Sequence, residues 1–152
     1  MMSGLMCLAM VVYYEARGES YEGQLAVAEV VLNRVASPRF PGDTCSVVKQ
    51  DLGPADHDCQ FSFYCDGKPE RPADMFAWTI AISVAEAAER GEVLGHGALF
   101  YHTNSVSPSW SQNMRVVGSV GNHVFFTDEP PLNSVRPRAR HNLRRVAQKE
   151  KR

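Results

Sequence analysis

Apolar residues run almost unbroken from Leu5 to Tyr14, with Leu5, Leu8, Ala9 and Val12 at helical spacing, and Gly18 ends the run. That spacing predicts a buried helix over 5–16. Ser20 reads as the N-cap of a second helix whose apolar face is Leu25, Ala28, Val31, Leu32 and Val35, closed by Pro38 and Pro41-Gly42. From Cys45 to Arg71 the pattern becomes irregular, yet Phe61, Phe63 and Tyr64 argue for an ordered, functional loop. A third helix starts near Pro72, carries Phe76, Ile80, Val84 and Ala87 in register, and stops at Gly91. Ala98–Tyr101 and His123–Phe126 read as short strands separated by a polar loop containing Asn104, Pro108 and Trp110. The expected fold class is therefore α+β, a single domain rich in helix with a small β-sheet.

Composition changes this picture only at the ends. With 152 residues, 44% hydrophobic and 22% charged, one domain with a real core is expected. The formal net charge of -1 hides a division: Arg136, Arg138, Arg140, Arg144, Arg145, Lys149, Lys151 and Arg152 crowd the last stretch. Residues 1–131 are thus expected to be an acidic folded body, and 132–152 a basic, flexible tail. An acidic body argues against nucleic-acid binding. The tail reads as a solvated end, with attraction to an anionic wall or membrane surface as the alternative. The first apolar run has no preceding Lys or Arg and no small-residue cleavage site, and is too short to span a bilayer. It is read as a core helix rather than an export signal.

Four cysteines suit an oxidising destination, and the candidate disulfides are Cys59–Cys65 and Cys7–Cys45. Free thiols are the alternative. A zinc site built from His57, Cys59 and Cys65 matches no common ligand spacing, so neither metal nor cofactor is expected.

Glu15 is the acid with the most suggestive surroundings. It ends an apolar helix, where the negative end of the helix dipole disfavours ionisation, and burial beside Val12, Tyr13 and Tyr14 would act the same way. A carboxylic acid kept protonated can protonate a leaving oxygen. The competing reading pairs Glu15 with Arg17 or Arg34 in a structural ion pair.

The residues around it extend the reading. Tyr14-Glu15-Ala16-Arg17-Gly18-Glu19, Gly23–Ala28, Val31–Val35, Cys59-Gln60-Phe61-Ser62-Phe63, Asp66-Gly67 and Trp78 form an ordered series. It continues through Gly97–His102, Trp110, Gly118 and Gly121–Phe126. In that order and spacing the chain resembles the SleB family of cell-wall hydrolases from Leu5 to Phe126. The resemblance implies a lysozyme-like fold of the lytic transglycosylase type and a peptidoglycan glycan strand as substrate. It also implies that Glu15, first glutamate of the Glu-Ala-Arg-Gly-Glu motif, is catalytic. Action in the periplasm or cell wall is expected. Because the first apolar run is not read as an export signal, a departure from many family members, the chain reads as a phage lysin released on lysis or a fragment of an exported bacterial enzyme, and as a monomer.

The remaining candidates divide between substrate and structure. Tyr14, Gln60, Ser62, Tyr101, His102, Trp110 and His123 are candidate substrate-binding residues. For Gln60 and Ser62 the alternative is bonding to loop backbone, for Trp110 a core anchor, and for His123 a satisfied core histidine. Glu19 is the alternative acid, with a structural role beside the second helix as its competitor. Two-carboxylate glycosidases need a second acid, and none of Glu19, Glu22, Asp56, Asp58 and Asp66 stands out. A lytic transglycosylase needs one acid only, which makes it the preferred reaction. A hydrolytic muramidase and a non-catalytic peptidoglycan-binding module are the alternatives.

Overall fold

Helix α1, Gly4–Ala16, is the centre of the molecule: Cys7 through Tyr13 are all buried, as is Ala16. The computed structural model describes residues 2–55 and 58–130, so the basic tail lies outside the described residues, as do Asp56 and His57. Ser3 caps α1, its hydroxyl accepting from the Met6 N–H at 3.3 Å. Helix α2, Tyr21–Ala36, begins at the expected cap, where the Ser20 hydroxyl accepts from Gly23 N–H at 3.1 Å. A short helix α3, Thr44–Val48, capped by Asp43, lies in what the sequence presents as irregular chain. Helix α4 spans Met75–Glu89 with Asp74 as its cap. All three pack against α1, and α4 also packs against α2.

The third predicted helix exists, and on its predicted face Val84 and Ala87 are buried and Ile80 packs against the core, while Phe76 alone departs. Trp78, Ala81, Val84, Ala85, Ala87 and Ala88 are buried, whereas Phe76 is 79% exposed. Small alanine side chains let α4 lie close to α1 and α2, and Trp78 takes the bulky position, with its ring 6.0 Å from Tyr13. The aromatic Phe76 was a misleading marker because size, not hydrophobicity alone, decides which face fits.

Behind the helices stands a three-stranded antiparallel sheet, β1 Phe100–Thr103, β2 Arg115–Val120 and β3 His123–Thr127, in the order β1-β3-β2. Both predicted strands occur, the first displaced toward the C-terminus. The segment read as one long polar loop instead contains β2, which is interrupted by Gly118 and shows a register shift between Val116 and Gly118. A bulged strand with little alternation leaves a weak signal. Gly121 makes the tight β2–β3 turn at φ +57°, with a Cβ there blocked by the Glu19 carboxylate.

Two disulfides, Cys7–Cys45 and Cys59–Cys65, complete the frame. The first ties α1 to α3, and the second closes the segment that holds Gln60, Phe61 and Ser62. The Cys7→Ala/Cys45→Ala pair should lose about 4 kcal/mol from loop entropy alone, read by denaturant unfolding. Unchanged stability would mean that the bridge is not formed. Phe76→Ser should stay within about 0.5 kcal/mol of wild type, whereas Trp78→Ala should cost about 3–5 kcal/mol in the same assay.

Candidate active site

Glu15 occupies the last turn of α1 and is half-buried. Burial pushes its pKa above the ordinary carboxylate value, while the Tyr101 hydroxyl and then the Arg34 guanidinium pull it partly back. No ion pair within 4.0 Å joins Glu15 to Arg17 or Arg34 among the described residues. Arg34 therefore acts on Glu15 across a gap and not through a direct salt bridge.

Arg34 is the residue whose importance the sequence hides. It is 2% exposed, sits in α2, and donates from Nε to the Leu99 carbonyl at 2.8 Å. Its guanidinium carbon lies 5.2 Å from the Phe40 ring centroid, 5.5 Å from Phe61 and 5.4 Å from Phe100. With the Gln60 amide oxygen turned toward it, both terminal nitrogens donate to that oxygen at 3.2 Å. Burial lowers its pKa to about 10, with Tyr101 and Glu15 opposing, so it stays charged at neutral pH. An arginine inside an otherwise apolar helix face was the available signal.

Glu29, also buried in α2, does comparable work for the sheet. Its carboxylate accepts from Gly95 N–H at 2.8 Å and Gly97 N–H at 3.2 Å, with His96 Nδ1 3.0 Å away. Asn33 donates to the Ala98 carbonyl at 2.9 Å. Together with Arg34 these bonds fix the chain entering β1, and so place Tyr101 against Glu15.

Two concavities meet at Glu15 and Thr103. One, of about 280 Å³, brings together Glu15, Arg34, Gln60, Ser62, Tyr101 and His102. The other, of about 560 Å³, contains Glu15, Arg17, Glu19, Asn104, Asn122 and His123. Two further concavities lie beside Arg17, one at Phe76 and one between Phe63 and Arg71, and neither contains Glu15.

Most of the candidate residues thus converge, but not all. Tyr14 points away from Glu15 into the Phe63–Arg71 concavity, stacked on Phe63 at 4.7 Å. Trp110 is 38% exposed and lies outside both concavities, packed edge-on against His102 and Phe126 at 5.6 and 5.7 Å. Its position flanks His102 and covers the outer face of the sheet. Glu19 faces the β2–β3 turn, accepting from Asn122 N–H at 3.4 Å, and its Oε1 is 3.6 Å from His123 Nδ1. His123 is buried with no hydrogen-bond partner on either ring nitrogen, its Nδ1 meeting only the Glu19 carboxylate at 3.6 Å, which is not the satisfied core histidine of the alternative reading. Burial lowers its pKa and the Glu19 charge opposes the shift. Among the described residues no cluster of His, Cys, Asp and Glu could hold a metal ion.

A half-buried acid at the meeting point of two polar clefts, carried on a helix-rich α+β body, is the arrangement of an acid–base enzyme. Residues 18–126 match the model of the cell wall hydrolase family, and the chain belongs to that family. It is 30% identical over 118 residues to the spore cortex-lytic enzymes of Halalkalibacterium halodurans and Bacillus subtilis. Those matches cover 78% of this chain but only 33% and 35% of the two relatives, so the chain spans about a third of their length. Its fold resembles the catalytic domain of the Bacillus cereus SleB protein, with a TM-score of 0.59 and 27% identity, covering 82% of this chain and 89% of that one. It also resembles the catalytic domain of the germination-specific lytic transglycosylase SleB from Bacillus anthracis. There the TM-score is 0.61 at 27% identity, over 82% of this chain and 93% of that one. The α+β, lysozyme-like class expected from the sequence is the class observed. The family match begins at Gly18, just past Glu15, so the role of that acid rests on its motif and its setting.

The direction of the Glu15 shift has two consequences. A folded-state pKa above the unfolded value means that stability is fullest below the unfolded pKa and falls as pH rises through the folded one. Glu15→Gln should therefore unfold at a higher temperature than wild type at pH 7, the gap closing near pH 4. The Tyr101 hydrogen bond lowers the Glu15 pKa, so Tyr101→Phe should move the basic limb of the kcat/KM profile to higher pH. A limb that stays in place would show that the two groups are not coupled.

Proposed function

We propose that this chain is a peptidoglycan-degrading lytic transglycosylase that cleaves the β-1,4 bond between N-acetylmuramic acid and N-acetylglucosamine. The observation that carries the reading is Glu15 itself, an acid with raised pKa where two clefts join. Protonated Glu15 donates its proton to the glycosidic oxygen, and the bond from that oxygen to the anomeric carbon breaks. The resulting carboxylate takes the proton from the muramoyl C6 hydroxyl, whose oxygen attacks the same anomeric carbon. The products are a 1,6-anhydromuramoyl end and a free 4-hydroxyl on N-acetylglucosamine, and no water is consumed. Because attacker and target share one sugar ring, the step gains an effective concentration on the order of 10⁵–10⁸ M.

The protein has to supply a proton, a place for the strand and little else. Tyr101 and Arg34 favour the carboxylate that appears after the first transfer, easing the second. Gln60, held by Arg34, and Ser62 offer short polar groups to an acetamido group or hydroxyl. No cofactor is required by these steps. Action on peptidoglycan places the enzyme in the periplasm or cell wall, which the two disulfides suit.

One observation favours a hydrolytic muramidase as second reading: Glu19 lines the same concavity as Glu15 and could serve as the second carboxylate. Its engagement with the β2–β3 turn speaks for a structural role. Mass spectrometry of fragments released from purified peptidoglycan separates the two. Anhydromuramoyl ends are expected, with release lost in Glu15→Gln by at least about a hundredfold. Reducing ends, one water heavier, would establish the muramidase, and undiminished release by a folded Glu15→Gln would remove Glu15 from its role.

A further inference from the structure

Two disulfides hold this body, and their surroundings differ. Cys7 is 2% exposed within α1, and Cys45 packs against the same core. Cys59 instead lines the cleft that contains Glu15 and Gln60, and Cys65, at the other end of its loop, is only partly buried. A thiol in solvent therefore reaches the second bridge from the open cleft, while packing shields the first. Exchange between thiols and disulfides depends on such access.

The exposed bridge also holds part of the site. Its cysteines are six residues apart, and the chain between them alternates in character. Phe61 and Phe63 are buried anchors, whereas Gln60 and Ser62 line the cleft beside Glu15. Regular structure is sparse here: an isolated bridge pairs Asp51 with Cys59, and one 3-10 turn runs from Ser62 to Cys65. A single turn of that kind is weak by itself. Cys59 belongs to the first feature and Cys65 ends the second, so their bond fixes the distance between the two. It thereby sets Gln60 where both terminal nitrogens of Arg34 reach its amide oxygen at 3.2 Å. Opening the bond leaves the two phenylalanine rings in the core but frees the cleft wall between and beyond them.

We propose that Cys59–Cys65 is a thiol–disulfide exchange site that switches the cleft, with a dithiol as reductant and a disulfide as oxidant. One thiolate of the dithiol attacks Cys59 Sγ, the Cys59–Cys65 bond breaks, and Cys65 leaves as a thiolate that takes up a proton. The second thiol of the reductant gives up its proton and attacks its own partner sulfur in the mixed disulfide, releasing Cys59 as a thiol. Two electrons and two protons pass to the cysteines, and the dithiol becomes a disulfide. An oxidising disulfide runs the same exchange backwards. With the bridge open the wall is loose and cleavage slow; with it closed the wall is set and cleavage proceeds. This inference rests on the glycosidase reading and adds its regulation. The enzyme is held back where thiols are kept reduced and becomes active in the oxidising space where peptidoglycan lies.

Titration of the full chain with dithiothreitol, a dithiol, tests the switch. At each concentration free thiols are alkylated and located by peptide mass spectrometry, and fragment release from purified peptidoglycan is measured. Cys59 and Cys65 should become alkylated together, before Cys7 and Cys45. Release should fall roughly ten- to a hundredfold at that step, the scale of a misplacement of about 1 Å in a site. The far-UV circular dichroism should stay native, amide exchange should quicken across 59–65, and α1 should remain protected. Re-oxidation with glutathione disulfide should restore release. Cys59→Ser/Cys65→Ser should show the low rate of the reduced protein and no response to dithiothreitol; if that variant fails to fold, the reduced wild type decides. Undiminished release with Cys59 and Cys65 reduced overturns the inference, as does earlier opening of Cys7–Cys45 or a loss that re-oxidation does not reverse. In those cases the glycosidase reading stands, because the oxidised protein still cleaves. If the oxidised protein releases nothing, that reading fails and takes the switch with it.

Discussion

A helix that is apolar on every side has to be surrounded, and α1 imposes that demand on the rest of the fold. Its residues Cys7 to Tyr13 are buried in unbroken succession, so helices must cover it on several flanks at once. α2, α3 and α4 do so, and the Cys7–Cys45 bridge fixes one of these contacts covalently. The chain leaves this enclosure only at the last turn of α1, where Glu15 is half-buried and Arg17 already exposed. An acid at that exit is shielded enough for burial to raise its pKa and open enough to line a cleft. The setting of the candidate site is thus a consequence of where the central helix ends.

The second requirement is that the sheet arrive at the same place, and α2 achieves it with polar groups buried among apolar ones. Glu29, Asn33 and Arg34 bond the backbone of the entering chain at four residues, Gly95, Gly97, Ala98 and Leu99. Burying such groups is tolerable only when their bonds are met. These bonds also bring Tyr101 to Glu15. Arg34 then links the sheet to the Cys59–Cys65 segment through Gln60, so three separate stretches of chain are tied together by one guanidinium. The aromatic rings of Phe40, Phe61 and Phe100 around it keep water away and hold its plane.

What the sequence made legible follows from which forces leave periodic traces. Helices α1 and α2, the Ser20 cap and strand β3 all show as regular spacing of apolar residues or as a recognisable cap. The resemblance placed Glu15, Gln60, Ser62, Tyr101 and His102 in one series, and the structure gathers them around one cleft. Tyr14 is a neighbour of Glu15 in sequence and therefore points elsewhere, because adjacent helical residues lie about 100° apart. Strand β2 was lost to its bulge, and on α4 the predicted face holds except for Phe76, which is exposed. Periodicity marks Arg34 only as a charge on an apolar helix face; its partners, distant along the chain, leave no trace there.

These features bear on why a single acid is a coherent solution here. Tyr101 and Arg34 both act on Glu15 in the direction of the carboxylate, while burial acts in the direction of the neutral acid. Burial is the larger effect, so Glu15 is held above the ordinary carboxylate value while Tyr101 and Arg34 oppose that shift. A fully desolvated acid would hold the proton too firmly for the second transfer, and a carboxylate paired directly with Arg34 would have none to give for the first. With no direct ion pair on Glu15 among the described residues, the guanidinium tunes the acid from a distance instead of neutralising it. In the transglycosylase reaction proposed above the nucleophile comes from the substrate itself, so that proposal leaves Glu19 free to serve the β2–β3 turn.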